Sequence, residues 1–228
     1  MDLTLDRQEV LRYLGYRGQA IDSRTDALIS GCMDQMLKTA KPRYVYRIFE
    51  VRQDIEQEAI LLPECGLVLP GRDIYEHLRE CRKCALMAAT LGIEADNLIR
   101  VAEASEMSRA VILDACATDM IEKVCDWAER EIEVRAAEEN RGINFRFSPG
   151  YGDLPLTLQG RIGEVLDTVR KIGLTMTENS LMIPRKSVTA LVGFTVRPRK
   201  QASKCATCSM RGPVSYTHLR AHETGRNL

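Results

Sequence analysis

One stretch gathers the residue types best suited to holding a small molecule: Arg146-Phe147-Ser148-Pro149-Gly150-Tyr151-Gly152-Asp153-Leu154-Pro155. Pro149-Gly150 predicts a turn, because proline presets φ and glycine supplies the positive φ of a type II turn. Arg146 and Tyr151 stand on either side of it. The arginine offers a rigid fork of donors matched to a carboxylate or phosphate. The tyrosine offers a π face to a cation or an adenine-like ring, and a hydroxyl. Together they suit a zwitterionic small molecule. The plainer reading of the same residues is a loop between a strand and a helix, with its ring half-buried as packing.

Two Cys-x-x-Cys pairs are the other chemical candidates. In Cys81-Arg82-Lys83-Cys84 the neighbouring cations could lower a thiol pKa, although a buried, inert Cys84 is the simpler expectation. Cys205-Ala206-Thr207-Cys208 follows a polar exit at Arg197 to Gln201 and suits zinc, an iron–sulfur centre or a redox dithiol. Two thiolates alone do not complete a tetrahedral site, so the metal content stays open. Residues Val214 to Thr224 read VSYTHLRAHET, which resembles the translation of a transposase adapter used in sequencing libraries. Residues 214–228 are therefore read as an artefact, with the natural C terminus missing. His218 and His222 go with it, which leaves His77 as a lone histidine, expected to be exposed or satisfied rather than catalytic. No Gly-rich phosphate loop, Gly-x-Ser-x-Gly elbow or His-Glu-x-x-His is present.

Composition narrows the classes. The 228 residues are 45% hydrophobic and 28% charged with a formal net charge of zero, so there is no electrostatic footprint for nucleic acid. No apolar run approaches the ~20 residues of a membrane span. The acidic start, Met1 to Asp6, does not read as a signal peptide. Of the eight cysteines, Cys32, Cys65, Cys84, Cys116 and Cys125 fall in apolar or helical settings, which points to a reducing cytoplasm.

The elements that would position the loop read as follows. Helices are predicted over Asp6–Leu14, from Asp22 or Ser23 to Thr39, over Gly71–Arg79 and over Ile93–Glu106. The longest runs from Ser108 to about Glu139, with an apolar stripe through Val111, Ala115, Met120 and Val124 and a charged far end that includes Glu129 and Glu131. Strands are predicted over Arg43–Val51, Ala59–Leu62 and Leu67–Leu69, with a core strand over Ala85–Leu91 despite its alanines. A strand over Asn144–Phe147 leads into the loop, and a helix over Thr157–Ile172 leaves it. Thr175–Met182 and Ser187–Val196 are strand-like around Pro184-Arg185-Lys186. Without regular βαβ alternation, the expected class is α+β: a twisted, mainly antiparallel sheet flanked by helices. Residues 1–200 are expected to form that domain, helical over 1–40 with its core in 41–200, followed by the cysteine-containing tail 201–213.

Arg146-Phe147-Ser148-Pro149-Gly150-Tyr151 resembles the Arg-x-x-x-Gly-Tyr element of the activation (reactivation) domain of cobalamin-dependent methionine synthase. Leu174 to Val188, LTMTENSLMIPRKSV, resembles that domain's second motif, and Ala115 to Glu131 resembles the helix before the first. The likeness covers roughly Ser108 to Thr195; the first hundred residues match only in layout. It implies an S-adenosylmethionine site that presents the methyl donor to a cobalamin carried by a partner. Arg146 would pair with the ligand's carboxylate, Tyr151 would lie against it, and Gly150 would let the backbone approach. Glu122, with Asp119 as runner-up, would accept from its amino group. The chain would act free-standing, in trans, on a cobalamin-dependent methionine synthase or related corrinoid protein, with an electron-donor protein as a further possible partner. Alternatives are a ligand-free docking module and a redox or metal protein using the cysteine tail. Two differences stand out: Gly152-Asp153-Leu154-Pro155 replaces a Pro-Ala-Cys-Pro type of segment, and a late tyrosine of the family has no counterpart near Phe194-Thr195.

Overall fold

The computed structural model describes residues 3–196; Cys205, Cys208 and the adapter-like segment lie outside them. The elements run α1 (Arg7–Tyr13), α2 (Ser23–Thr39), β1 (Arg43–Glu50), β2 (Arg52–Asp54), β3 (Ala59–Leu62), β4 (Leu67–Pro70), α3 (Arg72–Leu78), β5 (Lys83–Thr90), α4 (Ile93–Ser105) and α5 (Met107–Glu138). They continue with β6 (Gly142–Ile143), α6 (Leu158–Leu166), α7 (Thr168–Ile172), β7 (Thr175–Met176), β8 (Met182–Ile183) and β9 (Ser187–Thr195). The main sheet has the order β1-β5-β9-β6 and is antiparallel throughout. β2-β3-β4 and β7-β8 form two smaller antiparallel sheets. This is the α+β class the sequence predicts.

β5 shows why an alanine-rich run becomes the central strand. Its side chains alternate between two cores, because successive residues of a strand face opposite ways. Ala85, Met87 and Ala89 face one core with α2, α4 and α5. Cys84, Leu86 and Ala88 face the other, with β3, β4, α3 and α6. A strand covered on both faces needs no polar alternation. Its small residues let α5 lie close to the sheet. α5 extends roughly 48 Å at 1.5 Å per residue. It buries Cys116, Met120, Val124, Ala128 and Ile132 along one stripe. The opposite side of the helix, toward its C-terminal half, is left to charged residues.

Gly193 in β9 marks the tightest approach. A Cβ there would fall 2.6 Å from Cys81 Sγ, 2.6 Å from Leu78 Cδ2 and 2.8 Å from Asn144 Nδ2. All three neighbours are buried, so none can swing into water. Gly193→Ala is expected to lower stability by about 1–3 kcal/mol in urea unfolding. A loss of only a few tenths would mean that this region repacks freely.

Three local readings need correction, and one short strand was not predicted. The predicted strand over Asn144–Phe147 pairs earlier, at Gly142–Ile143, and meets β9 again through Phe147 and Leu191. Between them Asn144 turns its side chain into the ladder, where Oδ1 accepts from Gly193 N at 2.6 Å. The helix over Thr157–Ile172 breaks at Asp167, which is left-handed at φ 56°, while Thr168 Oγ1 donates to Leu174 O at 2.8 Å. Thr175–Met182 is a hairpin, closed by Thr177 N donating to Leu181 O at 2.8 Å. β2 carries no sequence signal of its own, since Arg52-Gln53-Asp54 is polar and pairs only because β3 follows it.

Candidate functional site

Arg146 enters the site from a short extended segment. Phe145 and Phe147 flank it in sequence, and the His77 ring of α3 lies 4.5 Å and 5.1 Å from their ring centroids. His77 is therefore buried aromatic packing and not an exposed residue. Phe147 exchanges backbone hydrogen bonds with Leu191 at 2.9 and 2.8 Å. The strand opened by the second motif thus holds the segment of the first.

The arginine side chain is only 6% exposed and lies on α5. Nη2 donates to Glu122 Oε2 at 3.0 Å. Nη1 donates to Asp126 Oδ1 at 2.9 Å and to Glu129 Oε2 at 2.5 Å. These acids stand at i, i+4 and i+7 on the helix, which places them on one face. Burial opposes the guanidinium charge, but Glu129, Cys125, the hydrogen bond to Asp126 and the charge of Glu122 together outweigh it and raise the Arg146 pKa above its ordinary value. Three acids thus converge on one guanidinium. The acids differ in access to water: Glu129 is 18% exposed, Glu122 38% and Asp126 51%.

Tyr151 stands at the open side, 58% exposed, its ring edge-on to Phe147 with centroids 6.2 Å apart. Gly150 has φ +90°, as the predicted turn requires, and donates to Leu154 O at 2.8 Å. Tyr13 of α1 feels one of these acids: its hydroxyl pKa is raised first by burial and then by the charge of Glu122.

Of the sequence candidates, Arg146 and Glu122 are brought into direct contact across 24 positions of chain. Asp119 goes elsewhere. It is buried, accepts from Asp6 N at 2.9 Å and pairs with Lys123 at 2.9 Å, so it anchors the start of α1. Sequence reasoning missed Asp126 and Glu129, although the spacing Glu122, Asp126, Glu129 on a predicted helix was a usable signal. Cys81 and Cys84 are both buried, and burial pushes the Cys84 thiol up, away from the reactive thiolate. Among the described residues no group of three or more His, Cys, Asp or Glu is arranged to hold a metal ion. None of the described helices is long and apolar enough to cross a membrane.

Fold and site together define an α+β protein in which a buried arginine, beside a Pro-Gly-Tyr turn, is caged by the acids of one long helix. No family model and no curated protein matches the chain by sequence. By structure it is similar to the crystal structure of the MetH reactivation domain bound to AdoHcy, with a TM-score of 0.63 at 17% identity. The match covers 86% of this chain and 75% of that one. The resemblance drawn from the two motifs is thus met by the fold.

Proposed function

We propose that this chain binds S-adenosylmethionine at the Arg146–Tyr151 loop above α5 and presents it to the reduced cobalamin of a methionine synthase or related corrinoid protein acting in trans. The observation that carries the reading is the Arg146–Glu122 contact, formed in the fold of a domain whose crystal structure holds AdoHcy. The groups fit such a ligand. A guanidinium suits its carboxylate, the acids suit its ammonium and sulfonium, and the exposed Tyr151 ring suits its adenine. Both Nη1 hydrogens of Arg146 are already engaged, by Asp126 and Glu129. A carboxylate taken on the Nη1 side would have to share or displace one of these acids, and Asp126, the most exposed, yields most cheaply.

The partner's reduced cobalt would be the nucleophile toward the sulfonium methyl, so the chain needs no general base. Its residues bind, orient and keep water from the donor. Reactivation consumes an electron, so an electron-donor protein completes the proposed set of partners, and the cytoplasm is the proposed setting.

Calorimetric titration tests the binding step. S-Adenosylmethionine is expected to bind with micromolar affinity, and addition of the chain with a reductant to an oxidised corrinoid protein is expected to restore its methylated form. No heat and no protection from thermal unfolding at millimolar ligand would remove this reading and favour the ligand-free docking module.

A further inference from the structure

The loop that carries Tyr151 is tied to α3 by a side chain outside the Arg-x-x-x-Gly-Tyr element. The N-cap of α3 is Gly71, which has no side chain to satisfy the first N–H groups of the helix. Asp153, about eighty residues later in the chain, does this instead. Its Oδ2 accepts from Arg72 N at 2.7 Å and its Oδ1 from Asp73 N at 3.2 Å. The two backbones meet so closely that a methyl group on Gly71 would run into the Asp153 carboxylate, and one on Gly152 into the Asp73 carboxylate.

The loop also closes on itself. Tyr151 N donates to Ser148 O at 3.0 Å, Leu154 N to Tyr151 O at 3.1 Å, and Gly150 N to Leu154 O at 2.8 Å. Leu154 is buried in the same core as Phe147. The other end of α3 holds the other end of the segment: Asn144 Nδ2 donates to His77 O at 2.9 Å, and the His77 ring packs on Phe145 and Phe147. α3 is thus a splint, clamped at both ends, along the segment that bears Arg146 and Tyr151.

We infer that Asp153 is a positioning residue for the site: by capping α3 in place of Gly71 it fixes where Gly150 and Tyr151 stand relative to Arg146. It touches no reacting atom. This role rests on the ligand reading above for its consequence, but not for its geometry. A carboxylate accepting two backbone N–H groups at a helix start gains from both the hydrogen bonds and the helix dipole, whereas an asparagine, with a single acceptor oxygen, retains one of the two bonds and loses the charge.

The test has a ligand-free arm and a ligand arm. In the free chain, Asp153→Ala is expected to speed amide exchange at Arg72 and Asp73 about tenfold or more and to shift the backbone resonances of Gly150 and Tyr151. Asp153→Asn, which can keep only one of the two acceptors, is expected to fall between the wild type and Asp153→Ala. In calorimetry, Asp153→Ala is expected to weaken S-adenosylmethionine binding about five- to tenfold, and to cost nothing further in a Tyr151→Ala background, because residues that act through one another are not additive. Unchanged Gly150 and Tyr151 resonances in the Ala variant, or a loss that adds in full to that of Tyr151→Ala, would overturn the assignment. A wild-type chain that binds no S-adenosylmethionine would defeat the functional reading alone, since the ligand-free arm still decides what Asp153 does.

Discussion

Arg146→Ala is expected to weaken S-adenosylmethionine binding at least about 100-fold and to lower stability by about 3 kcal/mol. The binding figure follows from losing paired, charge-assisted hydrogen bonds to a carboxylate, worth roughly 1.5–3 kcal/mol each. The stability figure follows from what remains. Glu122, Asp126 and Glu129 share one helix face, and without the guanidinium they repel one another. Removing one member of a buried ion pair typically costs about 3–5 kcal/mol. The low end applies because Asp126 and Glu122 reach water and can turn outward, whereas Glu129 has less room. Arg146→Lys separates the two effects. A lysine keeps the charge within the cage but loses the fork, so stability is expected to stay near wild type while affinity falls about tenfold or more. Urea unfolding and calorimetry read the two quantities independently. An Ala variant that binds as tightly as wild type would take Arg146 out of the site.

The cage also explains what could be read in advance. The α+β class was legible because each element has its own local signal: Asp22 as the cap of α2, the period of α5, and the apolar continuity of β5 between two cores. Arg146, Gly150 and Tyr151 were legible because a Pro-Gly turn announces itself through backbone constraints. Glu122 was placed, ahead of Asp119, through the likeness of its helix to the family's, and the structure puts it on the arginine. Asp126 and Glu129 were visible only as part of a charged helix end, and a charged face is usually solvated. Their role depends on a segment that arrives from Phe145–Phe147, a tertiary fact with no local trace. Asp153 is harder still, since its partners are backbone N–H groups of a helix that begins far earlier in the chain. The splitting of Thr157–Ile172 at Asp167 and of Thr175–Met182 into a hairpin follow the same logic, because single left-handed residues, Asp167 and Ser180, decide them.

Glu122→Gln is the second large effect, and here two contributions oppose each other. The substitution removes the charged acceptor for the ligand's ammonium, which costs about 1.5–3 kcal/mol. It also frees Arg146 Nη2 from one carboxylate, which makes the guanidinium more available to the ligand. That pair involves a carboxylate 38% exposed, and pairs of such exposure are worth about 0–1 kcal/mol. The loss therefore wins, and affinity for S-adenosylmethionine is expected to fall about 30-fold. Because S-adenosylhomocysteine carries the same ammonium, its affinity is expected to fall in nearly the same proportion. Asp126→Asn acts differently: it removes charge near the ligand without removing the ammonium's acceptor. Two unit charges about 6 Å apart interact by roughly 3 kcal/mol at an effective dielectric of 20, and less at the exposure of Asp126. It is expected to narrow the preference for the sulfonium over the thioether about threefold, the more so at low salt. Titrating both ligands against both variants at two salt concentrations separates the contributions. If Glu122→Gln changed only the ratio between the ligands, the ammonium would not be its partner, and the field of the cage would be its whole contribution.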